Sequence, residues 1–176
     1  MNTSIISDDN STIYIITSRL QDKHYGMIAT WITMASLRQD ELRFTLTLSK
    51  FNNSAKAIME TGEFIIHQIS EKDFNIAYTF GFYHSDNYDK FSAIQYSDHR
   101  SGIRVLKDSQ DFAYAEILNH FESEDRYILY CTCKNYSPSK KTSPALIQSR
   151  LFNLLNEDQR LNLEKKYQAD CVRDEI

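Results

Sequence analysis

Two clusters of small and polar residues, one before and one after a predicted strand, carry groups that could bind an anion. The first surrounds the single tryptophan, Trp31, and the second follows the strand-like run over residues 42–49. Their members are Ala29, Thr30, Ala35 and Ser36 in the first cluster, and Lys50, Asn53 and Ser54 in the second. Hydroxyls, amides and a lysine can bind phosphate, and an indole beside small residues can pack against an aromatic ring. A tryptophan-anchored hairpin with polar turns would have the same composition, so both interpretations stay open.

Lys50 and Lys90 are two lysines whose surroundings could hold them near a ligand. Each stands beside a phenylalanine in a polar loop. A lysine taken singly is usually a solvated surface residue. The functional interpretation is a pair of cations, one at a phosphate and one at the polar edge of a ring.

The spacing of the other reactive side chains does not support metal or nucleophile chemistry. The five histidines lack a spacing such as His-x-x-x-His, and Cys131, Cys133 and Cys171 include no second cysteine pair for zinc. The chain has no Gly-x-Ser-x-Gly motif, and its loop carboxylates fit solvated turns. We therefore predict no metal site and no catalytic acid–base pair, and we expect structural thiols.

Length and composition predict one globular domain with a sizeable core. The 176 residues are 41% hydrophobic and include eleven tyrosines and ten phenylalanines, which excludes a disordered class. A net charge of -4 and a pI near 5.7 give no electrostatic case for nucleic acid binding. No apolar run approaches the roughly 18 residues of a membrane span, and the polar N-terminus lacks a signal-peptide pattern. We expect a cytoplasmic protein without nucleic acid or membrane partners.

Hydrophobic periodicity predicts strands with short helices between them. The alternation of apolar and polar side chains is clearest over residues 42–48, as on a half-buried strand. The other predicted strands cover residues 13–18, 27–34, 63–69, 114–121 and 127–136. Helices are predicted after an Asn-Asn-Ser cap at 52–54, over residues 71–81 and over residues 145–167. Gly62 is expected to end the first helix.

The order of these elements favours antiparallel pairing in a closed barrel or sandwich, because long helical crossovers are few. A doubly wound sheet is disfavoured, since no two glycines are close enough to form a Gly-rich nucleotide-binding turn. We divide the chain into a lead-in over residues 1–11, a core domain over 12–136, a linker over 137–144 and a helical extension over 145–176.

The order of motifs between residues 13 and 91 resembles that of the flavin reductase-like, FMN-binding split-barrel family. The matching residues are Thr17, Gly26-Met27-Ile28-Ala29-Thr30-Trp31, Ser36, Lys50 with Asn53-Ser54, Thr61-Gly62-Glu63-Phe64 and Asp89-Lys90-Phe91. The resemblance covers about residues 12–136 and rests on the joint order of the motifs. The chain departs from the pattern at Tyr25, where the family has Asn, and at Arg126, where many members have His.

The resemblance implies a fold, a cofactor and a set of binding residues. The implied fold is mainly β: a six-stranded antiparallel Greek-key split barrel with short peripheral helices and a C-terminal helical extension. The implied cofactor is FMN, or FAD, bound near the interface of a homodimer. Ala29, Thr30 and Trp31 would lie along the FMN, Met27 would also contact it, and Lys90 would reach its ribityl or ring edge. Ala35 and Ser36 would touch its ring or phosphate side. Its phosphate would be held by Lys50, Asn53 and Ser54.

The function implied by the resemblance is that of an FMN-binding oxidoreductase. It would be an NAD(P)H-dependent flavin reductase or a flavoredoxin-like electron carrier, with hydride passing from the nicotinamide to flavin N5. A downstream acceptor protein is a further implied partner. Two alternatives stay open: a flavin-binding module without a nicotinamide partner, and a flavin-free split barrel kept for dimerisation or regulation.

Overall fold

The computed structural model, which describes residues 10–38, 41–85, 87–109, 111–137 and 143–174, is built around one curled antiparallel sheet. The strands are β1 (Tyr14–Leu20), β2 (Lys23–Ala29), β3 (Ile32–Met34), β4 (Arg43–Ser49), β5 (Glu63–Gln68), β6 (Tyr96–Asp98), β7 (Arg104–Leu106), β8 (Asp111–Glu122) and β9 (Arg126–Ser137). The helices are α1 (Asn53–Thr61), α2 (Phe74–Phe82), α3 (Gln148–Leu154) and α4 (Glu157–Asp174).

The sheet contains seven strands in the order β2-β1-β5-β8-β9-β4-β3, while β6 and β7 form a separate pair. Its two edge strands, β2 and β3, are separated in the chain only by Thr30 and Trp31. The sheet therefore curls into a half-barrel that brings these edges together. The mainly β, antiparallel class is confirmed, and the Greek-key connectivity stays a prediction.

The predicted number of six strands was wrong, because the strand expected over residues 27–34 is two strands. β2 pairs with β1, whereas β3 pairs with β4, so the chain changes partners at Thr30 and Trp31. A continuous apolar run contains no local signal for such a change of partner.

The helix predicted over residues 145–167 is also divided, into α3 and α4. Leu155 has an extended backbone, and Asn156 then begins a new helix through reciprocal hydrogen bonds with Gln159, each 2.9 Å long. The helix predicted over residues 71–81 is a short 3-10 turn, Glu71–Asp73, followed by α2. The first predicted helix is confirmed as α1, with Asn52 capping its start and Gly62 in the left-handed region at its end.

The interior of the half-barrel is filled by the apolar positions of alternating strands. Phe44, Leu46 and Leu48 of β4 are buried, and the rings of Phe44 and Phe64 meet edge to face at 6.3 Å. α1 packs into the same core through Ala55 and Ile58. The N-terminus of α1 is thereby held at the end of β4, and this placement matters for the candidate site.

A second core packs α2 and α3 against the outer face of β1. Its buried members include Ile15 of β1, Ala77 and Phe80 of α2, and Leu151 of α3. The Ile13 amide donates to the carbonyl oxygen of Leu146, and the Leu146 amide donates to that of Ile69, so two backbone hydrogen bonds join the segment before α3 to the rest of the fold. This packing positions α2 beside β2.

A buried histidine lies within a hydrogen-bonded chain under the sheet. The Thr17 hydroxyl donates to the carbonyl oxygen of Arg104 at 2.8 Å and lies 3.0 Å from His67 Nε2. Since the Thr17 proton is used, His67 donates from Nε2. Burial lowers the pKa of His67 from 6.5 to about 3.

The neutral state of His67 predicts a loss of stability in acid. The unfolded chain binds a proton at His67 below pH 6.5 while the folded protein does not bind one until about pH 3. The free energy of unfolding should therefore decrease as the pH is lowered from 6.5 towards 3, with His67 contributing up to about 1.4 kcal/mol per pH unit. Urea denaturation at about pH 7, 6 and 5 should show a shallower dependence for His67→Gln. His120→Gln removes an exposed histidine and should keep the wild-type slope; equal slopes in all three proteins would contradict the assignment.

Candidate functional site

A cavity of about 340 Å³ lies where β2, the start of α1 and the end of α2 meet. Met27, Ile28 and Phe80 contribute apolar walls, and polar side chains enter from the surrounding elements. These polar residues are Ser49, Asn52, Asn53, Lys90, Arg126 and Lys166. The combination of apolar walls with a few converging polar groups is typical of a small-molecule site.

The N-terminus of α1 forms one end of this cavity, and this end is suited to an anion. Asn52 is the N-cap and accepts a 3.0 Å hydrogen bond from the Ser54 amide, and the first turn of α1 carries no acidic residue. The amides of a helix N-terminus and the helix dipole favour a negative charge. Asn53 and Ser49 add polar side chains at the same place.

Arg126 brings a permanent positive charge to this end of the cavity. It begins β9, and its amide donates to the Ser123 hydroxyl at 3.1 Å in the tight β8–β9 turn. Its guanidinium lies 3.1 Å from the Asp125 carboxylate and 5.6 Å from the centre of the Trp31 ring. The guanidinium can therefore bind an anion in the cavity while the aromatic ring beside it limits its movement.

Lys90 supplies a second cation at the apolar end. Its ammonium is buried and donates to the carbonyl oxygens of Gly26 at 2.8 Å and Phe80 at 3.0 Å. Burial, with a smaller contribution from the positive charge of Lys166, lowers the pKa of Lys90 from 10.5 to about 7. Because its two hydrogen-bond acceptors belong to β2 and α2, the position of Lys90 depends on these two elements lying close together.

α4 closes one side of the cavity along a narrow stripe. Leu163, Lys166 and Asp170 are partly buried on this stripe, while most of the helix is exposed. Lys166 donates a hydrogen bond to the carbonyl oxygen of Gly81 at the end of α2. Sequence analysis did not identify Lys166, because the polar composition of α4 contains no local signal for a binding role.

The structure brings only three of the sequence-predicted site residues to the cavity: Met27, Asn53 and Lys90. Ala29 and Ser54 are buried beside it in the fold. Thr30 is half-buried at the junction of β2 and β3. Trp31 is 53% exposed and reaches the site only through its contact with Arg126.

The other three predicted residues lie outside the lining of the cavity. Lys50 forms a 3.0 Å ion pair with Glu122 and donates to the carbonyl oxygen of Ser123 at 3.2 Å. Ala35 and Ser36 lie in the loop after β3, where the Ser36 hydroxyl accepts a hydrogen bond from the Arg38 amide. In this structure Arg126, and not Lys50, is the cation at the α1 end.

The described ranges give no support for a metal site, a membrane-spanning helix or a reactive Cys133. No group of three histidine, cysteine or carboxylate side chains there could hold a metal ion. Among the same residues, no helix has the length and apolarity needed to cross a membrane. Burial raises the pKa of the Cys133 thiol to about 11, which is typical of an unreactive cysteine.

The curled antiparallel sheet defines a half-barrel protein, and its cavity has apolar walls and cationic side chains. The sequence profile of the flavin reductase like domain family matches residues 9–155, and the chain belongs to this flavin-binding family. The family resemblance stated from the motif order is thereby confirmed.

Curated relatives share limited identity with the chain. A putative diflavin flavoprotein A 2 from a Nostoc species is 26% identical over 140 residues, which are 78% of this chain and 24% of the relative. The chain thus spans about a quarter of the diflavin flavoproteins that it matches. A ferric-chelate reductase (NAD(P)H) from Archaeoglobus fulgidus is 27% identical over 95 residues, covering 53% of this chain and 55% of the relative.

Solved structures show the same fold. An NADH:FAD oxidoreductase from Streptomyces globisporus superposes with a TM-score of 0.71 at 14% identity, covering 81% of this chain and 84% of that protein. Component B of nitrilotriacetate monooxygenase from Mycobacterium thermoresistibile gives 0.70 at 20% identity, covering 80% and 76%.

The close approach of α2 to β2 predicts that a side chain at residue 26 is not tolerated. A Cβ added at Gly26 would lie 2.1 Å from Cε1 of Phe80. Gly26→Ala should displace the Phe80 ring and lower the free energy of unfolding by about 1–3 kcal/mol, as overpacking does. Chemical denaturation measures the loss.

The coupling between Gly26 and Phe80 can be tested with a double-mutant cycle. The double variant Gly26→Ala/Phe80→Leu should be more stable than the sum of the single losses predicts, because the smaller side chain leaves room for the methyl group. Gly81→Ala is the control, since its Cβ would meet only the flexible Cδ1 of Ile28, at 2.9 Å. Additive losses for Gly26 and Phe80 would contradict the steric explanation.

Proposed function

We propose that the cavity beside α1 binds FMN and that the protein is a flavin-dependent oxidoreductase that uses NAD(P)H as its reductant. The observation that carries this proposal is the arrangement of Arg126 and the α1 N-terminus at one end and Lys90 with apolar walls at the other. A flavin mononucleotide has a dianionic phosphate and a largely apolar ring, so its two ends require these different surroundings. The family to which the chain belongs gives independent support.

The donor set fits the phosphate of the proposed cofactor. Arg126 would pair with it through a charge-assisted fork, and Asn52, Asn53 and the first-turn amides of α1 would complete the contacts. Lys50 pairs with Glu122 and does not line the cavity, whereas Arg126 does, so we assign the phosphate cation to Arg126. The phosphate-binding residues that we propose therefore include Arg126 in place of Lys50.

The apolar end fits the ring. Met27 and Phe80 offer surfaces for packing, and Lys90 places a buried ammonium beside them. When bound, the flavin supplies the redox chemistry, since its ring accepts a hydride from a reduced nicotinamide. The protein has to orient the two rings and exclude water, which explains why a catalytic acid–base pair is not required.

The names of two similar proteins support a reduced nicotinamide as the reductant, and one of these names specifies FAD. One relative is named as an NAD(P)H ferric-chelate reductase, and one structural neighbour as an NADH:FAD oxidoreductase. We favour FMN over FAD because, in this cavity, Arg126 and the α1 N-terminus lie together at one end and would serve one terminal phosphate.

Flavin binding can be measured on the purified protein. After addition of FMN and desalting, absorbance bands near ~450 nm should stay with the protein. Arg126→Gln should weaken FMN affinity by about 10-fold to 100-fold, the cost of a charged hydrogen bond at the phosphate. Arg100→Gln, at an exposed arginine outside the cavity, should bind as the wild type does. A wild-type protein that lets all FMN pass through the column would overturn the proposal and leave a flavin-free barrel.

Reductase and carrier functions differ in their response to reduced nicotinamides. Anaerobic addition of NADH or NADPH should bleach the bound flavin if the protein is a reductase. Retained colour with either reductant, in a protein that chemical reduction does bleach, would instead identify an electron-transfer module without a nicotinamide site.

We also propose that the protein is a homodimer, supported by an exposed apolar face on β8 and β9. Phe121 pairs directly with Ile128, and Asn119 with Tyr130, so these side chains share one face of the sheet. Phe121 is 65% exposed, and Ile128 and Tyr130 are also exposed. A second copy of the same face would cover these side chains by an isologous contact.

A charge introduced on this face should dissociate the dimer. Light scattering after size exclusion should give the wild type twice the chain mass of 20.6 kDa. Phe121→Asp should give a single chain mass, because burying an unpaired carboxylate in an apolar interface is costly. Phe152→Asp, at an exposed phenylalanine of α3, should stay dimeric. A monomeric wild type, or a dimeric Phe121→Asp variant, would rule out this interface.

A further inference from the structure

A second cavity, of about 460 Å³, lies on the other side of Lys90. It is lined by the β1–β2 hairpin, the loop after α2 and the side chain of Arg104 from β7. Ser85 and Lys90 contribute to both cavities, so the two spaces adjoin. The proposed flavin site does not use Arg104 or His24, which line the second cavity.

Arg104 is held in this cavity by aromatic rings. The carbon of its guanidinium lies 4.0 Å from the centre of the Tyr96 ring and 5.0 Å from that of Phe91. Its buried Nε–H has no hydrogen-bond partner among the described residues. A guanidinium is always charged, so Arg104 gives the wall of this cavity a permanent positive charge with which a bound anion would pair.

His24 provides a second group of the same kind. Its Nδ1 is buried and also lacks a hydrogen-bond partner within the described part of the chain. Its ring meets the Phe91 ring edge to face at 6.0 Å, which places it on the same wall as Arg104. The His24 side chain also lines the cavity, and a neutral imidazole can form a hydrogen bond with an oxyanion.

The local field in this cavity is positive. Burial and the charges of Arg104 and Arg19 lower the pKa of His24, and they outweigh the opposite effect of Asp98 and Asp89. The two carboxylates on the cavity wall already have partners. Asp22 pairs with Arg19 at 3.5 Å, and Asp89 accepts the Phe91 amide at 3.0 Å.

We propose that this second cavity is a phosphate-binding site, with Arg104 and His24 as its donors and the Tyr88 ring as a wall for a group attached to the phosphate. An oxyanion here would pair with the charged side chain of Arg104 on the cavity wall, and phosphate matches the fork of a guanidinium. Two sources share this chemistry: the phosphate of a nucleotide and free inorganic phosphate. The nucleotide source rests on the proposed function, because it would be the nicotinamide nucleotide approaching the flavin cavity past Lys90. The phosphate site itself does not rest on the proposed function.

Isothermal titration with inorganic phosphate, pyrophosphate, AMP and NADH tests the site. At least one probe should bind the wild type saturably below about 10 mM. Its affinity should fall at least about tenfold in Arg104→Gln, the loss of one charge-assisted hydrogen bond, and by a smaller factor in His24→Gln. Arg100→Gln, at an exposed neighbour of β7, should bind as the wild type does. AMP or NADH binding tighter than inorganic phosphate identifies the nucleotide source, and equal binding identifies free phosphate.

Further measurements separate this site from the flavin cavity. Arg104→Gln should keep wild-type FMN affinity, and Arg126→Gln should keep phosphate affinity at the second cavity. Phosphate binding that is lost in Arg126→Gln but kept in Arg104→Gln would overturn the inference, as would the absence of binding by every probe. If Arg104→Gln does not fold, as judged by its thermal transition, His24→Gln decides the matter, and unchanged affinity there overturns the inference. A protein that binds FMN and is bleached by NADH or NADPH, but binds none of inorganic phosphate, pyrophosphate and AMP, fails only this inference. A protein that binds one of these three probes in an Arg104-dependent manner but does not bind FMN fails only the proposed function.

Discussion

The buried ammonium of Lys90 is the interaction on which both cavities depend. A charge removed from water must be hydrogen-bonded, and Lys90 satisfies this need with the carbonyl oxygens of Gly26 and Phe80. These acceptors belong to β2 and α2, so the requirement holds a strand and a helix together. Gly26 permits the contact because the Phe80 ring occupies the space of a Cβ. Removing this arrangement would merge or close the two spaces that Lys90 separates.

The distribution of ion pairs decides which cations can serve a ligand. Lys50 follows the end of β4 and Arg126 begins the neighbouring strand β9, and both have carboxylate neighbours. Lys50 forms its ion pair with Glu122 outside the cavity, whereas the side chain of Arg126 lines the cavity and lies near Trp31. An arginine can keep one carboxylate contact and still present further N–H groups, because its planar fork carries five donors. Lys50 already contacts two acceptors, Glu122 and Ser123, so fewer of its N–H donors are available for a ligand.

Part of the molecule could be predicted because it depends on neighbours in sequence. The alternation of β4 follows from residues two apart, and the start and end of α1 follow from Asn52 and Gly62. The family could be inferred from the order of motifs, and the sequence profile confirms it. Met27, Asn53 and Lys90, which the motif order assigned to the cofactor, line one cavity, and their role in binding stays a prediction.

The amino-acid sequence by itself determined the antiparallel β class, the α1 caps and the family, because these depend on short-range periodicity, backbone preference and motif order. Only the tertiary structure decided that the run around Trp31 is two strands, because strand partners are chosen across the sheet. It also decided that Arg126 replaces Lys50 at the α1 end and that Lys166 reaches the cavity from α4. These contacts join residues about 70 or more positions apart, and such pairings depend on how the whole sheet curls.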